Sequence, residues 1–101
     1  MNIVITNEKN VFTLALDGRL TITDAPEFHN EMDKVLRFAK EVVLDLEHLE
    51  YIASAGLREM LIAEKYMESK GGRIVLKNVN SMVRHVLDDT GINKVISIAD
   101  D

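Results

Sequence analysis

Runs of β-forming residues and amphipathic helical stretches take turns along this chain, and that alternation restricts its fold more than any other feature. Ile3–Thr6 and Val11–Leu16 are β-rich, and the polar Asn7-Glu8-Lys9-Asn10 between them reads as a hairpin turn. Asp17-Gly18 closes the second run, and Arg19-Leu20-Thr21-Ile22-Thr23 follows as a short extended or loop segment. Asp24-Ala25-Pro26-Glu27 is a helix start: Asp24 can cap, Glu27 can complete a capping box, and Pro26 fits the first turn. Phe28, Met32, Val35, Leu36 and Ala39 then recur at helical spacing.

Val42–Leu46 is an almost unbroken apolar run, the pattern of a strand covered on both faces, with Glu47–Glu50 as a connector. Leu57, Met60, Leu61, Glu64 and Met67 share one face of a second helix; Glu64 interrupts the stripe near the helix end, from where it can reach water. Lys70-Gly71-Gly72 ends that helix. Arg73–Lys77 is a further strand. Asn80-Ser81 opens a third helix with Met82, Val83, Val86 and Leu87 inward and Gly91 at its end. Val95–Ile98 is a last short strand, and Ala99–Asp101 a frayed tail. The order β-β-α-β-α-β-α-β predicts an α/β fold, one domain over residues 1–101: a mixed sheet with an N-terminal hairpin, right-handed crossovers and helices mainly on one face.

A chain of 101 residues suits one modest core. The net charge of −5, with basic residues scattered beside acids, argues against nucleic acid as a partner. There is no cysteine, so disulfides and thiolate metal sites are excluded, in keeping with a reducing compartment. Met1–Asn7 lacks the basic and apolar segments of a signal peptide, and no run is long enough for membrane insertion. A cytoplasmic location is the expectation.

Ser54 is the first candidate for function. It lies between Ala53 and Ala55, with Gly56 two places on, where a strand pattern gives way to a helix. Unpaired N–H groups and the helix dipole favour negative charge there, and a phosphate would bring roughly −1.5 to −2 charge units to a small uncharged knob. The plain alternative is a serine that only caps the helix. Gly56 serves either the close approach of a partner or helix–strand packing. Ile62 and Tyr66 fall opposite the buried stripe and form a possible docking patch, although single exposed apolar residues are ordinary. Asp17 and Asp24, if gathered on the same rim, could hold a metal or orient a phosphoryl donor; a turn residue and a cap are the simpler readings. His29, His48 and His85 have no metal-ligand spacing and are expected at the surface. Ile52 stands where a nucleophile elbow needs glycine, and Gly71-Gly72 lacks a phosphate-loop lysine and serine. No catalytic constellation, and so no enzyme and no cofactor, is predicted.

In order and spacing, several segments resemble the STAS domain family, and within it the small bacterial anti-sigma factor antagonists. Leu16-Asp17-Gly18-Arg19-Leu20-Thr21 is similar to the family's Gly-Glu-Leu-Asp segment, Val42–Leu46 to its central strand, and Tyr51–Leu57 to its Asp-Ser-Ser-Gly-Leu switch. Gly71-Gly72 and Asp89-Thr90-Gly91-Ile92 also fit. The resemblance implies a regulatory protein that binds an anti-sigma factor acting as a serine kinase, with ATP held by that partner. It further implies phosphorylation at Ser54, release of the complex, and reset by a phosphatase. By position, Thr21, Ala53, Ser54, Ala55, Gly56, Leu57 and Arg58, with Ile62 and Tyr66, would form the partner surface, and Asp45 would help shape the site. Ala53, Ala55, Arg19 and Thr21 depart from the family pattern, and acidic groups near the switch are removed with them. They leave open a second reading, a non-phosphorylated STAS adaptor subunit of a transporter or signalling complex. On this resemblance, the family's last helix is expected to be nearly absent after Ile98.

Overall fold

The computed structural model describes residues 1–99, so the expected fray at Asp100 and Asp101 lies outside the described residues. Strands β1 (Asn2–Glu8) and β2 (Val11–Leu20) form an antiparallel hairpin. Glu8 pairs with Val11, which leaves a two-residue turn at Lys9 and Asn10, both at positive φ (53° and 67°). That is the left-handed backbone a right-twisted hairpin accepts. Asn7 Oδ1 accepts the Asn10 N–H at 2.9 Å and secures the turn. Then follow α1 (Ala25–Leu36), β3 (Glu41–Ile52), α2 (Ser54–Ser69), β4 (Arg73–Lys77), α3 (Ser81–Thr90), a 3₁₀ turn (Ile92–Lys94) and β5 (Ser97–Ile98).

The sheet runs β1-β2-β3-β4-β5, with β2 to β5 parallel. Each crossover steps to the next strand in the same direction. Right-handed crossovers that never reverse place all their helices on one face. Burial follows: Leu14, Leu16 and Leu20 of β2, Val42, Leu44, Leu46, Leu49 and Ile52 of β3, and Ile74 and Leu76 of β4 are buried together with Phe28, Met32, Val35, Met60, Met67, Val83 and Leu87. The opposite face, with Val43 and Asp45, is only half-covered, so the β3 apolar run is not covered on both sides as expected.

Three further expectations are corrected. The region read as turns and a connector is strand: β2 continues to Leu20 and β3 to Ile52. Between the Ala15–Asp45 and Asp17–His48 pairs β3 advances three residues against two, and between Gly18–Leu49 and Arg19–Tyr51 it advances two against one. Each step inserts an extra residue, a bulge that breaks the period-two pattern by which strands are recognised. Gly18 lies within this irregular stretch at φ 112°, a conformation open to glycine. Glu64 does not reach water. It is 4% exposed, and its Oε1 accepts the Ile74 N–H at 2.9 Å, just before the first β4–β5 pair at Val75 and Ser97. Met82 faces outward, whereas Asn80 caps α3 by accepting the Val83 N–H at 2.9 Å.

Candidate functional site

The parallel strands β2 and β3 end together at Leu20 and Ile52, and the rim they form carries the candidate site. The Ala53 N–H donates to the Leu20 carbonyl at 2.8 Å, which ties the last residue before α2 to the end of β2. Ala53, extended at φ −86° and ψ 162°, is the N-cap of α2 and offers no side-chain acceptor. Ser54 is therefore the first helical residue and not the cap, a correction to the plain reading of this serine. Its side chain is exposed, and its hydroxyl enters no hydrogen bond among the described residues. The first turn of α2 contains no acidic residue.

Around Ser54 the candidate residues divide by burial. Gly56 and Leu57 are buried and support the turn from within; a Cβ at Gly56 would lie 2.6 Å from Leu20 Cδ2, so helix–strand packing requires this glycine. Ala53 and Ala55 are half-buried, and Arg58 is exposed one turn beyond Ser54. Ile62 and Tyr66 are 48% and 41% exposed, outside the core stripe as expected. With Asp33 and Leu36 of α1 and Arg37 at its C-terminal cap they line a groove of about 400 Å³ along α1 and α2.

Thr21 stands on the same rim, because β2 ends one residue before it. Its N–H and hydroxyl both donate to Asp24 Oδ2, at 3.0 and 2.6 Å. The Thr21 hydroxyl bond, then the Thr21 backbone bond, holds the Asp24 carboxyl below its ordinary value. Asp24 thus turns back toward Thr21 and makes no side-chain cap on α1, so the expected capping box is absent. Asp17 is paired with Asn2 and His48 in the sheet, and no group of metal ligands occurs among the described residues. Asp45 is removed from the site: it sits mid-strand, accepting the Glu47 N–H and the Asn78 amide, both at 3.1 Å, roughly 20 Å along β3 from Ala53.

Two apolar residues of this rim escaped the sequence analysis. Ile22, in the Thr21–Asp24 turn, is 73% exposed, and Tyr51, at 39%, carries the Arg19 guanidinium 4.5 Å above its ring. A lone isoleucine between two threonines is a visible signal for the first. The outward turn of Tyr51 follows from the β3 bulges and has no sequence signature. His29 lies at the surface as expected and bridges the helices, Nδ1 at 2.6 Å from Glu59 Oε1 and Nε2 at 3.2 Å from Asp33 Oδ2.

This architecture is shared with proteins already described. The family model for "Mlab, STAS domain" matches residues 3–98. The anti-sigma F factor antagonist of Paenibacillus polymyxa is 28% identical over 99% of this chain and 87% of its own length. BtrV of Bordetella bronchiseptica is 33% identical over 83% of this chain and 73% of its own. The crystal structure of tm1081 from Thermotoga maritima superposes with a TM-score of 0.89 at 26% identity, covering 98% of this chain and 86% of that one. Unphosphorylated SpoIIAA, at 16% identity and a TM-score of 0.80 over 99% of this chain and 89% of its own, shares the fold.

Proposed function

We propose, because this chain belongs to the STAS domain family, that it is an anti-sigma factor antagonist whose Ser54 is a phosphorylation switch. The names of its relatives from Paenibacillus polymyxa and Bordetella bronchiseptica support the first half of this reading. The observation that carries the second half is the exposed, unbonded Ser54 hydroxyl at the head of α2. Unmodified, the rim of Thr21, Ala53, Ser54, Ala55 and Arg58 docks on the anti-sigma factor, with Ile62 and Tyr66 continuing the contact along α2. Gly56 and Leu57 hold that surface in shape. Ile22 and Tyr51 supply apolar area beside it.

The partner holds ATP and acts as the kinase. Ser54 Oγ attacks the γ-phosphorus, the bond from that phosphorus to the ADP oxygen breaks, and the hydroxyl proton passes to a base of the partner. The phosphate brings roughly −1.5 to −2 charge units into a contact formed around a neutral hydroxyl. Each 1.4 kcal/mol lost there is about a tenfold weaker complex. A phosphatase returns the serine by hydrolysis. The chain is the substrate in this cycle and performs no catalysis itself. A cytoplasmic location follows from such a partner; among the described residues no helix is long and apolar enough to cross a membrane.

The test is incubation with the anti-sigma factor and ATP, followed by mass spectrometry, and capture of the partner by wild type, S54A and S54D. Phosphate on Ser54 and capture lost only with S54D support the switch. Equal capture by all three, with no phosphate, supports the adaptor reading. That second reading is favoured by Ala53 and Ala55 flanking the serine and by Thr21 being occupied with Asp24.

A further inference from the structure

The geometry points to Arg58 as the intramolecular receiver of a phosphate on Ser54, an inference that rests on the phosphorylation reading of this serine. Ser54 and Arg58 are four residues apart within α2, so their side chains lie on the same side of the helix, one turn from each other. Both are exposed. Arg58 enters no ion pair among the described residues. The neighbouring carboxylate that would compete for it, Glu59, is only 19% exposed at its side chain and is taken by His29 at 2.6 Å. No acid stands in the first turn of α2 to repel the phosphate. A phosphoserine and an arginine at this spacing form a charge-assisted, two-point hydrogen bond from guanidinium to phosphate oxygens.

The consequence is a switch with two strokes. Modification adds a dianion to the docking rim, and it folds the Arg58 guanidinium of that rim back onto the helix. An anti-sigma factor that meets Arg58 with a carboxylate loses that contact at the same moment as it meets the phosphate. The arginine makes the phosphorylated state of this chain self-neutralising in part.

The test installs phosphoserine at position 54 during translation, which needs no kinase, and follows the second phosphate ionisation by ³¹P NMR in the full chain. In the otherwise wild-type protein it falls below that of the R58Q form by about 0.15–0.4 of a unit. R58K recovers part of the difference, and 1 M salt removes it by screening. Equal titration of the wild-type and R58Q phosphoproteins overturns the inference. Because Arg58 is exposed, R58Q is expected to fold, and its circular dichroism and melting curve serve as the check. The measurement is independent of partner binding: an anti-sigma factor that ignores Ser54 would sink the proposed function and leave the phosphate–arginine pair to be judged on its own titration.

Discussion

Gly56 sits against Leu20 so closely that a methyl group on its Cα would meet Leu20 Cδ2 at 2.6 Å and Cγ at 2.7 Å. Leu20 is wholly buried, and Ile52 Cγ1, itself buried, would lie 3.3 Å from the same methyl, so the added carbon meets side chains packed in the core. The turn that presents Ser54 is therefore set by the core beneath it. G56A is expected to destabilise the domain by about 1–3 kcal/mol, read as a lower urea midpoint at unchanged slope. It should also weaken partner capture, since the rim moves when α2 is pushed off β2. A G56A protein as stable as wild type would mean that α2 is not seated on Leu20 as described.

The turn of the first hairpin gives a prediction of opposite sign. Lys9 and Asn10 both adopt left-handed backbone, a conformation in which lysine is disfavoured and which Asn-Gly accepts best. The Asn10 backbone N–H and carbonyl are used, by Asn7 and Lys40, whereas the side chains of Lys9 and Asn10 enter no hydrogen bond among the described residues. The double change K9N/N10G relieves about 1–2 kcal/mol of left-handed strain per residue, less the roughly 0.5–1 kcal/mol of chain freedom that glycine adds to the unfolded state, and the balance should be seen as an increase in melting temperature. Partner binding at the far end of the strands should be unaffected.

How much of this was legible follows from periodicity. Phe28, Met32, Val35 and Leu36 recur every three or four residues and end up buried together, as do Val83 and Leu87. The hairpin was visible because polar turn residues separate two β-rich runs. β3 beyond Leu46 was hidden because its two bulges shift the inward positions to Leu49 and Ile52, a spacing of three in place of the two by which a strand is read. The Ser54 turn was legible from its small residues, yet the capping role was assigned one residue late. Composition alone does not say which small residue has the extended backbone, and it proved to be Ala53. Glu64 misled for a different reason: a carboxylate on an apolar stripe suggests escape to water, and the tertiary partner that keeps it inside, the Ile74 amide, is ten residues away on another element.

His29 links α1 to α2 through Glu59, with Asp33 of its own helix at the other ring nitrogen, and the link is pH-dependent. The Glu59 hydrogen bond, then the charges of Asp33 and Glu59, raise the imidazole above its ordinary 6.5. The folded state therefore holds the proton more tightly than the unfolded chain. Its contribution is full below the ordinary value and is lost as pH rises through the raised folded value. H29Q should accordingly lower the urea midpoint more at about pH 6 than at about pH 9. NMR titration of the imidazole should place its folded value above that of an unfolded-state peptide. A difference between wild type and H29Q that does not change with pH would show that the ring contributes packing and not charge.

Glu64 provides the reverse case, a buried carboxyl among Met60, Ala63 and Met67 on the core side of α2. Burial is the main cause that raises its ionisation above the ordinary 4.5, against the Ile74 N–H bond that lowers it. The folded state prefers the protonated carboxyl, so the associated stability is full below 4.5 and is lost as pH rises through the raised folded value. E64Q keeps a carbonyl oxygen for the Ile74 N–H and removes the titration. Wild type should therefore lose ground against E64Q as pH climbs from about 4 to 7, and the two urea midpoints should diverge over that window. E64L removes the acceptor altogether and leaves the first inward amide of β4 unpaired, at a cost of about 1–3 kcal/mol. Amide hydrogen exchange at Ile74 separates the two effects: protection is retained in E64Q and lost in E64L. Equal protection in both would mean that the amide has another partner and that Glu64 is held inside by packing alone.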